Sequence, residues 1–321
     1  MTDELQDTYD VVVAGGGAAG LNGALMLARS RRSVAVIDAG RPRNAPAQGV
    51  HGLLGREGMP PAELMEIGRR EVRGYGAHVV SGEITGAKAD GDGFLVTLAD
   101  GRAVRSRRLL VTTGLVDELP DVPGLAELWG GDVLHCPYCH GWEARDKAIG
   151  ILANGPMSVH QALLFRQLTD DVVYLTNGTD APAGEDAEKL AALGIPVVEG
   201  RVTGVETVGN QLAGLRLADG TVIRRDVVAV ATRMVARAGF LGELGLMPAD
   251  HPMGVGQHIP ADATGRTDVP GVWAAGNVTD LAAQVGGAAA AGAFAGAQIN
   301  ADLVAEDART AVAAHRQRLA G

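Results

Sequence analysis

Both cysteines of the chain fall within residues 135–140, which read His-Cys-Pro-Tyr-Cys-His. The C-x-x-C spacing of Cys136 and Cys139 allows two thiols to close a small disulfide ring and to open it again. If a helix begins at Cys136, its dipole stabilises the thiolate there. An unperturbed imidazole titrates near neutral pH, so His140 is the first candidate for a general acid or base and His135 the second. This window predicts catalytic exchange between dithiol and disulfide.

Two other interpretations of the window were weighed. A zinc site needs four ligands, but the chain has no second cysteine pair, and adjacent His and Cys residues are poorly directed at one tetrahedron. A pair of inert buried thiols is the other alternative, although Pro137 and two flanking histidines are unusual in an inert core. We therefore expect a redox-active pair and no metal. The remaining histidines are each expected to be surface or hydrogen-bonded structural residues: His51, His78, His160, His251, His258 and His315.

A glycine turn near the start of the chain has the pattern Gly15-x-Gly17-x-x-Gly20. It stands between an apolar strand and a helical segment, and Asp38 follows at the end of the next strand. Gly15 suits the tight turn, Gly17 lets the backbone approach a pyrophosphate, and Gly20 lets the helix pack on the sheet. Asp38 is expected to accept hydrogen bonds from ribose hydroxyls. The motif predicts a dinucleotide site without separating FAD from NAD, and a ligand-free tight turn is the alternative.

The elements that position these residues form the same strand, helix, strand pattern twice. The first unit is strand 9–14, a helix ending near Arg29 and strand 33–38, and the second is 148–152, 157–168 and 172–176. Pro120, Pro123 and Gly124 mark a linker between them. The other expected elements are a helix at 60–75, strands within 93–112, 196–208, 211–217, 226–231 and 272–276, a helix over 281–303 and a solvated terminal helix at 304–321.

Charge and hydropathy exclude several classes of partner. The chain has 28 Lys and Arg against 38 Asp and Glu, a net charge of −10, which repels phosphate backbones. We expect no nucleic-acid partner. No uninterrupted apolar stretch reaches the roughly 18 residues of a membrane span, and residues 1–10 are acidic where a signal peptide is basic. We therefore expect a cytoplasmic protein with no membrane partner.

These motifs together resemble the low-molecular-weight thioredoxin reductase family of flavoproteins. The resemblance rests on the glycine turn, the segment Thr112-Thr113-Gly114, the C-x-x-C pair, residues 271–278 and Ala283-Gln284-Val285. It implies an α/β fold of two Rossmann-like dinucleotide-binding-type domains, the second inserted into the first. The implied FAD domain is 1–117 with 245–303, the implied inserted NADPH-domain-like unit is 118–244, and 304–321 is a C-terminal tail.

The resemblance also implies FAD as cofactor and a homodimer. It places Cys139 nearer the flavin than Cys136. Asn277 stands where the family usually carries Asp, and either side chain can bind a ribityl hydroxyl. The implied cofactor-binding residues are Gly15, Gly17, Ala18, Ala19, Gly20, Asp38, Thr113, Gly114, Gly276, Asn277, Gln284 and Val285.

Two departures from that family bear on function. The second glycine turn, residues 153–158, keeps one glycine of three and has Pro156 where an N–H should face phosphate. No arginine follows the next strand, so we expect nicotinamide binding to be lost, with weak residual binding as the alternative. His140 stands where thioredoxin reductases carry Asp. Residues 136–143 are similar to the dithiol oxidases that close disulfides in natural products such as gliotoxin and holomycin.

The expected function is therefore an FAD-dependent dithiol oxidase that uses a small-molecule dithiol and molecular oxygen. The expected substrate-contacting loops lie around 44–60 and 233–245. A disulfide reductase fed by NADPH or by another donor such as ferredoxin is one alternative. A non-catalytic flavoprotein redox sensor is an alternative of another class.

Overall fold

The glycine turn at residues 15–20 joins a buried strand to a helix in the computed structural model, which describes residues 2–320. The strands in chain order are β1 (Thr8–Ala14), β2 (Val34–Asp38), β3 (His78–Ser81), β4 (Ile84–Asp90), β5 (Gly93–Leu98), β6 (Ala103–Val111), β7 (Leu115–Glu118), β8 (Val133–Leu134), β9 (Ile149–Leu152), β10 (Val172–Leu175), β11 (Val197–Val198), β12 (Val202–Val208), β13 (Gln211–Leu217), β14 (Val222–Ile223), β15 (Val227–Val230), β16 (Arg233–Ala236), β17 (Ala249–Asp250), β18 (Gly256–His258) and β19 (Val272–Ala274).

Six α-helices accompany the strands among the described residues. They are α1 (Ala18–Arg29), α2 (Pro61–Gly74), α3 (Pro137–His140), α4 (Ser158–Phe165), α5 (Glu185–Ala192) and α6 (Val285–Ala320). Short 3₁₀ helices cover Ala126–Leu128, Trp142–Ala144, Gly239–Leu244 and Gly276–Val278.

Two sheets with parallel centres confirm the predicted α/β fold with two Rossmann-like units. The first has the order β3-β2-β1-β6-β5-β4, with β19 parallel to β6. The second, β11-β10-β9-β15-β8, is wholly parallel. Its strands come from the chain between β6 and β19. Residues 11–14 of β1 and all of β9 are apolar and buried because a central parallel strand is covered on both faces. The exact domain boundaries stay a prediction.

Smaller sheets complete the molecule. β12, β13 and β14 form an antiparallel meander, and β17-β18-β16-β7 form a four-stranded sheet. This four-stranded sheet joins the two units, because β7 follows the strands of the first parallel sheet in the chain and β16 follows those of the second parallel sheet. The strand pattern in the sequence did not predict this sheet.

Helix α6 differs from the prediction of a helix to residue 303 followed by a terminal helix. One continuous helix of 36 residues runs from Val285 to Ala320. Its N-terminal half packs on α1 through glycine: a Cβ on Gly292 would lie 1.9 Å from the Ala19 carbonyl oxygen. Past residue 303, Glu306 accepts from Arg107 at 2.6 Å, so the first turn of the predicted tail is tied to β6. Within residues 2–320, no helix combines the length and hydropathy needed to cross a bilayer, and a cytoplasmic location stays a prediction.

Candidate active site

A cavity of about 1130 Å³ lies between the first sheet, the cysteine window and helix α4. This is above the roughly 300 to 1,000 Å³ of ordinary small-molecule sites, which leaves room for a large cofactor and a small substrate. All four predicted catalytic residues line it. So do the predicted cofactor residues except Gly20 and Gly276, which lie behind its wall. Parts of both expected substrate loops also contribute, including Asn44 to His51 and Arg237 to Phe240.

The cysteine pair sits at the start of a helix, which meets the condition set out for a stabilised thiolate at Cys136. Cys136 is the N-cap of α3, and Pro137 occupies the first turn, where a missing N–H costs nothing. The thiols are free and half-buried, with the two Sγ atoms 2.6 Å apart. Residue 141, which follows the helix, must be glycine because a Cβ there would lie 2.1 Å from the Pro137 carbonyl oxygen. The pair can therefore close and open a disulfide with little movement of the backbone.

The two thiols differ in acidity. The hydrogen bond from Cys139 lowers the pKa of Cys136 to about 7, against an opposing effect of burial, and the N–H groups of Tyr138 and Cys139 add to the lowering. The same hydrogen bond to Cys136, together with burial, raises the pKa of Cys139 above its ordinary value. Of the two thiols, Cys136 is therefore the more acidic.

His135 is held by a chain of polar contacts from the first unit. Arg43 makes two hydrogen bonds to the Asp117 carboxylate, at 2.6 and 2.7 Å. The Thr232 hydroxyl donates to Asp117 Oδ1 at 2.6 Å and lies 3.4 Å from His135 Nδ1. Burial and the Arg43 charge lower the pKa of His135 below its ordinary value, while Asp117 opposes them. His135 is therefore a neutral imidazole near pH 7.

His140 has fewer partners. Its Nε2 atom is buried and has no hydrogen-bond partner among the described residues. Burial lowers the pKa of His140, and the charge of His51 adds to this while Glu143 opposes it. His51 itself lies 2.6 Å from Glu57 Oε1 and 3.6 Å from Glu143 Oε1. His51 was expected to be a surface or hydrogen-bonded structural residue; it has such a partner in Glu57 and also lies in the wall of the same cavity.

The first glycine turn has the shape of a phosphate cradle. A Cβ on Gly20 would lie 1.9 Å from the Gly15 carbonyl oxygen, and one on Gly15 would lie 2.5 Å from that of Thr112. These two glycines let strand, turn and helix meet. A Cβ on Gly17 would meet no protein atom within 4 Å, because this position, the N-cap of α1, faces the cavity. A pyrophosphate would occupy the space that a side chain at residue 17 would fill.

Asp38, at the end of β2, lines the cavity beside this turn. Each carboxylate oxygen accepts one hydrogen bond, Oδ1 from Gly40 N–H at 3.1 Å and Oδ2 from Arg69 at 3.0 Å. A carboxylate can accept about four, so both oxygens keep capacity for ribose hydroxyls. The Thr113 hydroxyl donates a hydrogen bond to the Arg237 carbonyl oxygen at 2.6 Å. Gly114 has a positive φ of 68°.

The far end of the cavity is formed by the start of α6. The Asn277 amide donates to the carbonyl oxygens of Asp280 at 3.0 Å and Ala283 at 2.8 Å. An aspartate could not donate these bonds, which gives a physical reason for Asn at this position. Because the amide nitrogen makes both bonds, Oδ1 of Asn277 stays free to accept from a ribityl hydroxyl. Gln284 and Val285 stand at the helix start, where the positive end of the dipole favours negative charge. The residues present therefore fit FAD.

The second glycine turn bonds its polar groups within the protein. Ser158 is fully buried where the first turn has Gly20, and its Oγ accepts the backbone N–H of Asn154 at 3.0 Å. After β10, Asn177 Oδ1 accepts from Val202 N–H at 3.1 Å. Polar groups of the second unit that would face a nucleotide, the Asn154 N–H and the Asn177 side chain, thus form hydrogen bonds within the protein. These contacts favour the prediction that nicotinamide binding is lost.

Sequence comparison matches residues 9–314 to the family described as Pyridine nucleotide-disulphide oxidoreductase. The chain belongs to this family. One relative, thioredoxin reductase tcpT of Claviceps purpurea (strain 20.1), is 31% identical over 92% of this chain and 95% of that protein. Thioredoxin reductase sirT of Leptosphaeria maculans is 28% identical over 93% and 95%. The crystal structure of HlmI superposes with a TM-score of 0.90 at 44% identity over 99% of both chains.

These matches confirm the resemblance predicted from the motifs and the two-domain fold. The protein is a thioredoxin reductase-like oxidoreductase, and its cofactor is FAD. The matches do not test the roles of individual residues. Sequence reasoning missed three polar residues of the cavity region, Arg43, Asp117 and Thr232, because each is unremarkable in its local context. The one available signal was a charged pair, Arg41 and Arg43, in a Pro-rich and Asn-containing loop.

Proposed function

We propose that the protein is an FAD-dependent dithiol oxidase that closes an intramolecular disulfide in a small-molecule dithiol, with oxygen as electron acceptor. The observation that carries this proposal is the contrast between the two nucleotide turns: the FAD turn keeps all three glycines, whereas the second turn keeps only Gly155, has Pro156 without an N–H, and commits the Asn154 N–H to Ser158 at 3.0 Å. Electrons must then enter at the C-x-x-C pair. A substrate dithiol is the donor that this pair accepts by exchange.

The exchange proceeds in two steps on the oxidised pair. A substrate thiolate attacks Sγ of Cys136, the bond between Cys136 and Cys139 breaks, and Cys139 leaves with the electron pair. The second substrate thiolate then displaces Cys136 and closes the substrate disulfide. Two electrons pass to the cysteines and two protons to bases. His140, next to Cys139, and His135 serve as those bases.

FAD, held at the first glycine turn, Asp38 and the start of α6, would supply the two-electron chemistry that links the reduced cysteine pair to oxygen, so that the pair returns to its disulfide and oxygen with two protons gives hydrogen peroxide. The lowered pKa of Cys136, about 7, makes its thiolate available at neutral pH. We further propose a homodimer, in line with the family resemblance.

Serine variants of the cysteines test this proposal. Cys136→Ser and Cys139→Ser should keep the yellow colour of bound FAD and lower dithiol-dependent oxygen uptake by at least about 1,000-fold, because the exchange partner is gone. Oxygen electrode and peroxide assays with dithiothreitol provide the measurement. Full activity in either variant would refute the proposal.

A thioredoxin reductase is the second candidate, because tcpT and sirT carry that name. It predicts reduction of a thioredoxin-like protein at the expense of NADPH. Rapid reduction of the flavin by NADPH, followed by disulfide reduction, would favour it over the oxidase.

A further inference from the structure

The hydrogen bonds around His135 indicate where its ring holds its proton. Thr232 donates its hydroxyl hydrogen to Asp117 Oδ1 over 2.6 Å. Burial alone would raise the pKa of Asp117, but the hydrogen bonds from Arg43 and Thr232 more than offset it, so the pKa is lowered. An ionised carboxylate only accepts hydrogen bonds. The Thr232 oxygen therefore donates to Asp117 and keeps its own lone pairs for another donor.

Two oxygen acceptors then face His135 Nδ1. The Val230 carbonyl oxygen lies 3.2 Å away and Thr232 Oγ1 lies 3.4 Å away. The competing contact is a single one, from the Thr232 backbone N–H at 3.3 Å. Because acceptors outnumber donors at this atom, the proton belongs on Nδ1 and the lone pair on Nε2.

The backbone of His135 is fixed as well. The Gln161 amide donates to the His135 carbonyl oxygen at 2.7 Å, which ties the residue to α4. His135 lines the cavity that holds both cysteines, and Cys136 is the next residue. The charged groups that the imidazole meets are Arg43 and Asp117.

We propose that Asp117 and Thr232 are positioning residues that hold His135 in the tautomer whose Nε2 is a base, and that this nitrogen takes the proton of the substrate thiol that attacks Cys136. The second half of this inference rests on the proposed function. The proton moves from the thiol sulfur to Nε2, the resulting thiolate attacks Cys136 Sγ, and the proton leaves to solvent after the exchange. His140 then serves the Cys139 side of the pair.

Matched variants of Thr232 test the tautomer directly. Thr232→Val keeps the shape of the buried side chain and removes the hydroxyl, whereas Thr232→Ser keeps the hydroxyl. Imidazole ¹⁵N correlation spectra of histidine-labelled holoprotein report which nitrogen carries the proton, and His135→Gln assigns the signal. We expect Nδ1–H in the wild type and in Thr232→Ser, and a mixture in Thr232→Val. Nε2–H in the wild type, or no change in Thr232→Val, would overturn the inference.

The kinetic consequence is measured by anaerobic reduction of the flavin by dithiothreitol between pH 5 and 9. Thr232→Val should slow reduction about tenfold, and Thr232→Ser should stay within about twofold. Asp117→Asn removes the charge that raises the pKa of His135. The fall in the flavin reduction rate on the acidic side of the pH profile should therefore move to lower pH, and the maximal rate should decrease. A lower maximal rate with no shift of the acidic side of the pH profile indicates a structural role for Asp117 and contradicts the inference. If dithiothreitol fails to reduce even wild-type flavin, the proposed function fails, while the ¹⁵N spectra still decide the tautomer.

Discussion

The chain builds the same strand, turn and helix twice, and the two turns have different contents. In the first, Gly17 opens to the cavity and Gly20 lets the helix touch the Gly15 carbonyl. In the second, Ser158 is buried at the position of Gly20 and accepts the Asn154 N–H at 3.0 Å. The comparison teaches that one βαβ topology can carry two different turns, and that nucleotide binding depends less on the topology than on backbone N–H groups left free at the turn.

The largest expected contrast is between electron donors. NADPH and NADH should reduce the flavin at least about 100-fold more slowly than dithiothreitol, because the second turn lacks two or more charge-assisted hydrogen bonds to phosphate. Anaerobic stopped-flow absorbance with each donor at equal concentration gives the rates. Comparable rates for NADPH and dithiol would show that the second turn still binds a nucleotide.

A valine at Gly17 sharpens the comparison from the other side. Gly17 has an extended conformation, φ −81° and ψ −171°, and an added side chain meets no protein atom. Gly17→Val should therefore weaken FAD binding by at least about 100-fold, since the side chain fills the phosphate space. The melting temperature of the apoprotein should stay within about 2 °C.

Asn154→Ala is the matched control, because it changes the second turn at an exposed residue. Flavin titration followed by fluorescence should give wild-type FAD affinity for this variant. Equal FAD affinity in Gly17→Val and Asn154→Ala would show that the first turn does not hold the pyrophosphate.

The two cysteines provide a smaller contrast within one helix. In the reduced protein at pH 7, iodoacetamide should label Cys136 about ten times faster than Cys139, because only the thiolate reacts. The pKa of Cys136 is about 7, so its labelling rate should rise as pH increases through 7 and then level off. Peptide mass spectrometry after timed quenching separates the two sites. Equal labelling would contradict the assigned thiolate.

The smallest effect is expected inside the second turn. Ser158→Ala removes the partner of the Asn154 N–H and should cost about 1 to 2 kcal/mol of unfolding free energy. FAD content and dithiol oxidation should not change. Urea unfolding together with flavin absorbance tests both statements, and a loss of FAD would mean that the two turns are coupled.

The parts that the sequence predicted share a local origin. The turn at residues 15–20, Asp38 after β2 and the helix start at Cys136 are each specified by neighbours in the chain, and the structure has them as expected. The burial of β1 and β9 follows from continuous apolar runs. The predicted end of a helix near residue 303 was wrong. The sequence changes there from small to charged residues because α6 passes from a packed to an exposed environment, but the residues on both sides have high helix propensity.

The parts that could not be predicted depend on contacts between distant residues. Arg43 meets Asp117 across 74 positions, and Asp117 meets Thr232 across 115. No periodicity marks such pairs, because each partner sits in a loop or at a strand end. β7 and β16 likewise pair across a long stretch of chain. Local patterns therefore identified the cysteines and histidines of residues 135–140 and missed the side chains that contact His135 from distant parts of the chain.

Helix α6 also determines how the protein can be handled. At 1.5 Å per residue its 36 residues form a rod roughly 54 Å long, and it starts at the cavity and ends among exposed residues. A fluorophore, a solid support or a fused carrier attached near Ala320 would stand about 50 Å from the start of the helix at the cavity. The protein can thus be tethered in a flow reactor or on an electrode without obstructing the site.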